Sequence, residues 1–459
     1  MMSIQPDGIA ELRREFGAML SVNASTREQH GRGEANSTLH LPDAVAYPQC
    51  TDDVARMVRI CARHGLPVIP FGAGTSLEGQ VSAPHGGLTL DLSRMDAVLR
   101  VSAEDSDCVV QPGVTREALN QYLRDTGLFF PVDPGANATI GGMVSTRASG
   151  TTTIRYGTIA HNVLALEVVT GQGEVIRVGT RARKSSAGYD LVRLLTGAEG
   201  TLGVITEITL RLHPQPEATA SAVCAFPQLS SAVQAVTEMI QSGSPVARIE
   251  FLDELQIRAC NRHSSLSLAE LPTLFLEFHG THSAVEEQLA LARSVVESYG
   301  ASHFQAATDS AQRAILWKAR HQAYYAAKAL RPGAECVIAD VAVPISALAG
   351  AVTAAREALD AAGLLATIVG HVGDGNFHVL FLFDPASADE RAKVDAVYDA
   401  MIAHAHAVGG TCTGEHGIGL GKRGKLIEEF GATTVGLMRA IKTAWDPSGI
   451  LNPGKIFLD

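Results

Sequence analysis

Paired cysteines are missing from this sequence. Its seven cysteines, Cys50, Cys61, Cys108, Cys224, Cys260, Cys336 and Cys412, are scattered, odd in number and form no CxxC. That excludes a disulfide framework, an iron–sulfur cluster and c-type haem, and points to a reducing compartment. A basic excess is also missing. Thirty-seven Lys and Arg against 48 Asp and Glu leave a net charge of -11, which disfavours nucleic acid, whose binding needs a basic face. No apolar run is long enough to span a bilayer, and the longest candidate, 337–351, is broken by Asp340 and Pro344. The start, MMSIQPDGIAELRREFG, lacks an apolar h-region, so it reads as a short amphipathic helix rather than a secretory signal. The expectation is a cytoplasmic chain, with peripheral attachment at the inner face of a membrane left open.

What is present is a large, apolar-rich chain. Its 459 residues, 46% of them hydrophobic and 19% charged, exceed what one core can hold, so two or more domains are expected. Up to about residue 215, short β-like runs alternate with helical stretches. VAYP is a strand, and Thr51-Asp52-Asp53 caps a helix whose Val54, Met57, Val58 and Cys61 share one face before Gly65 ends it. LALEVVT and EVIRV form a hairpin, and GTLGVITEITLRL is a long strand. From about Ala218 the alternation of CAFP, SSAVQAVTEMIQSG, VARIEFLD and PTLFLEFHG suggests an α+β domain with helices on an antiparallel sheet. Helices dominate from 387 to 408 and from 433 to 445.

Two stretches are glycine-rich. PFGAGTSLEGQ, from Pro70 to Gln80, follows a short strand. Its spacing is not GxGxxG, another strand follows it, and no Lys stands beside Thr75, so the Rossmann and Walker patterns both fail. Alone it fits a structural turn as well as a phosphate site. The second, PVDPGANATIGGMVSTRASGTTTIRYGT from Pro131 to Thr158, is nearly free of large apolar side chains. Two such loops bounded by strong strands suit a long, phosphate-bearing ligand better than irregular surface loops do.

The sharpest signal is HVGDGNFH. With Asp374-Gly375 as a two-residue hairpin turn, His371 pairs with His378, their Cβ atoms ~5 Å apart on one face. That suits two imidazoles on one metal ion. From the hairpin alone, a metal site and two core-filling histidines fit equally. GGTCTGEHGIGLGKRGK tips the reading to metal, because Glu415 adds a carboxylate to the two histidines and leaves coordination positions open. His404 and His406 fall on a helix and are given no role.

These stretches, together with REQHGR, RYGT, SAGYDL, GAEGTLGVIT, PVARIEFLDE, WKARHQAYYA and LNPGK, follow one order along nearly the whole chain. In that order they resemble the FAD-dependent D-lactate dehydrogenases of the cytochrome-linked type, flavoproteins that share an FAD domain with vanillyl-alcohol oxidase. The resemblance implies an α+β architecture: a two-subdomain FAD domain (1–215), a ferredoxin-like substrate domain (216–410) and a C-terminal segment (411–459) returning to cover the flavin. It implies FAD contacts from Pro70, Gly72, Ala73, Gly74, Thr75, Ser76 and Gly79 in the first loop. In the second it implies contacts from Pro131, Asp133, Gly141, Gly142, Ser145, Ser149, Gly150, Tyr156 and Gly157. Gly200, Gly203, Val204 and Ile205 would pass along the cofactor, with Asn452 near the flavin. Covalent-flavin relatives carry a histidine in the first loop, and this chain has none there, so the FAD is expected to be non-covalent.

The resemblance also implies zinc or manganese on His371, His378 and Glu415, His416 as base, and Arg320 as the group that binds the substrate carboxylate. From the residues alone Arg320 reads as an ordinary helix-surface arginine. The implied substrate is a small D-2-hydroxy acid. The apolar Val379-Leu380 and Val337-Ile338-Ala339, where relatives that oxidise D-2-hydroxyglutarate carry polar and cationic groups, favour lactate or a slightly larger aliphatic acid, with glycolate or D-2-hydroxyglutarate as the alternative. With no haem or cluster ligands apparent, the acceptor is external: cytochrome c, a quinone or an electron-transfer flavoprotein. A homodimer is compatible with this reading. The rivals are a non-catalytic flavin-binding subunit of a larger complex, which would not need HVGDGNFH, GEHG and WKAR, and a flavin-free metallohydrolase, which would not need the glycine-rich loops.

Overall fold

A computed structural model describes residues 6–33 and 38–458. The chain divides into two compact units: 1–149 with 157–215 and 415–459, and 150–156 with 216–414. The expected N-terminal helix spans Pro6–Phe16, and residues 1–5 of that stretch lie outside the described residues.

Among the described residues the first unit holds two larger sheets and a two-stranded one, Leu128–Phe129 with His213–Pro214. In one of the larger sheets, Ala44–Ala46, Leu88–Asp91 and Val68–Phe71 run parallel, and Leu20–Ser21 joins antiparallel at the edge. The helix Thr51–His64 covers this sheet through Val54, Met57, Val58 and Cys61, as its periodicity predicts, and Gly65 closes it in a left-handed conformation. Its cap differs from the expectation. Cys50 is the capping residue, and the Asp53 carboxylate accepts from the amide of Gln49. The other larger sheet is antiparallel, ordered Val98–Ser102, Asp107–Val110, Val204–Arg211, Val163–Val169, Val175–Gly179. The last two strands are the expected hairpin. The C-terminal segment returns to this unit. Val68 and Asn452 donate their amides to Ile450 and Val68, setting Leu451 as a parallel neighbour of Val68.

The second unit is built on a seven-stranded antiparallel sheet. Its first four strands in chain order are Ala218–Ala225, Val246–Leu252, Thr273–Gly280 and Ser302–Ala307. They stand in the order fourth, first, third, second, which is the ferredoxin-like arrangement. Three further strands, Ala366–Gly370, Asn376–Phe383 and Glu335–Ala342, extend it beyond Val246–Leu252. One face packs Leu380, Leu382, Phe275 and Val369 against Trp317 and Ala323.

Candidate functional site

In the second unit the histidine hairpin is wider than expected. His378 pairs with Val369, not with His371. Residues Val372–Asp374 form a single 3-10 turn, and the His371 carbonyl accepts the amides of Asp374 and Asn376. Gly375 closes the turn with φ 76. His371 stands two residues beyond Val369, so both fall on the same pleat face. The rings therefore still meet, 5.5 Å between centroids and edge to face at 86°.

Behind His371 lies a residue that the sequence did not mark. Glu250, on the strand Val246–Leu252, is fully buried. Its Oε1 lies 2.7 Å from His371 Nδ1. Its Oε2 accepts from Arg320 Nε at 2.8 Å and pairs with Nη2 at 2.5 Å. Burial pushes the Glu250 carboxyl up, but the Arg320 guanidinium and His371 outweigh it and hold it below the usual carboxylate range. Arg320 is therefore no surface arginine. It sits in the last turn of the helix Ser310–His321, buried against this carboxylate. His378 Nδ1 lies 3.5 Å from Asp340 Oδ1, beyond a good hydrogen bond. Asp340 is instead occupied by Asn376 Nδ2 at 2.7 Å and Thr413 Oγ1 at 2.9 Å.

Of the apolar positions expected to shape the substrate space, only Ile338 and Leu380 share the face of Asp340 and His378. Val337, Ala339 and Val379 alternate to the other face.

The boundary between the units falls inside GEHG, between Gly414 and Glu415. In the first unit the Ser149 hydroxyl donates to Glu415 at 2.6 Å. His416 Nε2 lies 4.0 Å from Glu415 Oε1, too far to be hydrogen-bonded. Its loop is clasped by buried polar groups. Gln80 Nε2 donates to the His416 carbonyl at 2.7 Å. Glu199 accepts the amides of Ile418 and Gly419 at 2.7 and 2.8 Å. Asn452 Nδ2 donates to the carbonyls of Gln80 and Glu199, and Lys455 donates to Asn452 Oδ1 and to the Ser82 carbonyl. Burial pushes the Glu199 carboxyl up to about 7 and the Lys455 ammonium down to about 7. Gln80, Glu199 and Lys455 are the residues of this clasp that sequence reasoning missed. Asn452, expected near the flavin, ties the Gln80 and Glu199 loops together.

Two family models match, "FAD binding domain" over residues 42–179 and "FAD linked oxidases, C-terminal domain" over 215–456. The second alone spans more than half of the chain. The chain belongs to the FAD-linked oxidase family. It is 49% identical to the probable mitochondrial D-lactate dehydrogenase of Danio rerio, over 95% of this chain and 88% of that protein. It is 42% identical to the mitochondrial D-lactate dehydrogenase [cytochrome] of Arabidopsis thaliana, over 98% and 79%. The glycolate oxidase subunit GlcD of Bacillus subtilis is 33% identical, over 91% and 89%. Among solved structures, 4-ethylphenol oxidase from Gulosibacter chungangensis superposes with a TM-score of 0.82 at 19% identity, covering 98% of this chain and 97% of that one. That likeness shows the fold.

As an FAD-linked oxidase the chain is a flavin-dependent oxidoreductase, and the glycine-rich loops of its first unit suit the cofactor. A Cβ at Gly72 would fall 2.3 Å from Thr139 Oγ1, so the first loop lies directly against the cap of the helix Ile140–Thr146. The Ser76 hydroxyl is buried with no hydrogen-bond partner among the described residues, a donor of the kind a phosphate oxygen accepts. Pro70 lies in the strand that leads into that loop, Ala73, Gly74, Thr75 and Gly79 lie in the loop, and Pro131, Asp133, Gly141, Gly142, Ser145 and Ser149 belong to the same unit. So do Gly157, Gly200 and Gly203. The side chains of Val204 and Ile205 lie in apolar clusters on opposite sides of their strand. Gly150 and Tyr156 belong to the second unit. There the Tyr156 hydroxyl lies 2.7 Å from His279 Nδ1, in a buried chain that runs on through Glu277 and Ser221 to Trp317.

The residues expected at a metal also offer a suitable donor set. Two imidazoles stand together and one has its Nδ1 on a carboxylate, the outer partner that a metal-ligating imidazole commonly has. No helix among the described residues is long and apolar enough to cross a membrane.

Proposed function

We propose that this chain oxidises D-lactate, or a closely related aliphatic D-2-hydroxy acid, to the 2-oxo acid and passes the electrons to an external acceptor. The observation that carries the reading is the buried Arg320–Glu250–His371 array beside His378. It sets a cation for a carboxylate next to imidazoles for a metal, the donor pair that a 2-hydroxy acid needs. The names of the relatives from Danio rerio and Arabidopsis thaliana support the choice of D-lactate.

In this reading His371, His378 and Glu415 hold zinc or manganese. When bound, the divalent cation supplies Lewis acidity that makes the C2 hydroxyl easier to deprotonate. Bound FAD supplies the two-electron acceptor for the C2 hydride. Arg320 anchors the substrate carboxylate through charge-assisted hydrogen bonds. His416 takes the hydroxyl proton, and the Gln80–Glu199–Asn452 clasp fixes its backbone. The external acceptor would be cytochrome c, a quinone or an electron-transfer flavoprotein. Glycolate is the alternative substrate that a relative's name supports.

The base assignment has a direct test. His416→Ala should retain FAD and lose flavin reduction by D-lactate by roughly 10²- to 10⁴-fold, the usual contribution of a positioned base. Stopped-flow reduction at wild-type speed in the flavin-loaded variant contradicts the assignment.

A further inference from the structure

We infer that Glu250 is a positioning residue for two members of this site at once, fixing the tautomer of His371 and the approach edge of Arg320. The inference rests on the function proposed above and adds a residue to it.

Glu250 has no accessible surface, so it meets neither substrate nor solvent. Its two oxygens serve different partners. Oε1 faces His371 Nδ1 at 2.7 Å. An ionised carboxylate only accepts, so Nδ1 must carry the hydrogen. In the neutral ring the lone pair is then on Nε2, the nitrogen on the far side of the ring from Glu250 and the one that would ligate a cation. Oε2 takes Nε and Nη2 of Arg320. A guanidinium has five N–H groups. With its Nε–Nη2 edge occupied, a substrate carboxylate can be met in bidentate fashion only end-on, through Nη1 and the second hydrogen of Nη2. Glu250 thus selects which nitrogen of the imidazole and which edge of the guanidinium are presented. His378 Nδ1, by contrast, stands 3.5 Å from Asp340 Oδ1.

A merely structural ion pair would give the same geometry but a different response to substitution. Glu250→Gln keeps the shape and offers one acceptor and one donor. If its NH2 faces His371, it forces the opposite tautomer and places a hydrogen on Nε2. If its NH2 faces Arg320, it sets donors against donors.

The test uses full-length, flavin-loaded protein stripped with a chelator and titrated with Mn²⁺ by calorimetry, alongside D-lactate kinetics. Glu250→Gln should bind Mn²⁺ about 10- to 100-fold more weakly than wild type, as loss of such partners does. Its KM for D-lactate should rise. In a variant that also carries Arg320→Lys, the KM increase should be smaller than the product of the two single effects. If Glu250→Gln does not fold, Glu250→Asp, which keeps the charge but cannot reach both partners, should show the same losses. A folded variant with wild-type Mn²⁺ affinity and KM overturns the inference and leaves the proposed function intact. A wild type that reduces its flavin with D-lactate yet takes up no Mn²⁺ or Zn²⁺ overturns the metal reading itself, and the His371 half of the inference with it.

Discussion

Glu199 is a carboxylate held where its charge is poorly solvated. Burial raises its pKa to about 7, against the pull of the Ile418 and Gly419 amides, while an unfolded chain would leave it near the ordinary carboxylate value. The folded molecule therefore binds the proton more tightly than the unfolded one. Stability attributable to Glu199 is fully present below about pH 4.5 and is lost as pH rises to about 7, by roughly 3 kcal/mol at most. Lys455, lowered to about 7, acts in the opposite sense above pH 7, where stability is regained. In urea unfolding at pH 5 and pH 7, wild type should lose at least about 1 kcal/mol more over this interval than Glu199→Gln. Parallel losses in the two proteins would mean that Glu199 does not titrate here. At this scale the sequence marked the residues proposed to touch chemistry and missed the buried groups beside them. His371 and Glu415 stand out because imidazole and carboxylate among glycines are unusual. Glu250 is one acid in a strand, 121 residues from His371 and 70 from Arg320, and only the folded sheet brings the three together.

At the scale of elements, legibility followed local rules. The helix Thr51–His64 was readable because its apolar spacing and Gly65 are both local. The hairpin was misread in register because Asp-Gly so strongly suggests a two-residue turn. Here the His371 carbonyl captures two amides and winds Val372–Asp374 into an extra turn. The expected proximity of the rings survived, because a shift by two residues preserves the face. Gly375 is the hinge of this arrangement, with φ 76 and a Cβ position 2.1 Å from the Val343 carbonyl. Gly363 has a similar φ of 65 but nothing within 4 Å. Gly375→Ala should therefore destabilise the protein by at least 1–2 kcal/mol more than Gly363→Ala in urea unfolding, since only the first adds a steric clash to the conformational cost. Equal effects would place the hairpin turn elsewhere.

At the scale of the whole molecule, family and broad architecture were legible because the motifs run through nearly the entire chain in order. The ferredoxin-like core of the second unit and the strand pair of the histidine hairpin were expected, but that this pair and Glu335–Ala342 extend the core sheet beyond Val246–Leu252 was not. Their sequences read as β-prone without saying which edge they join. Nor does the order of motifs reveal that 150–156 leaves the first unit to pack with the second. The central claim is that this flavoenzyme takes electrons from a D-2-hydroxy acid with the help of a divalent cation. The measurement that tests it most directly is an anaerobic titration of the purified protein with D-lactate, L-lactate, glycolate and D-2-hydroxyglutarate, following the flavin spectrum before and after chelation. D-lactate should bleach the flavin in preference to the others, an effect lost on chelation and restored by Mn²⁺ or Zn²⁺. A yellow protein that D-lactate fails to bleach, or bleaches equally well after chelation, contradicts it.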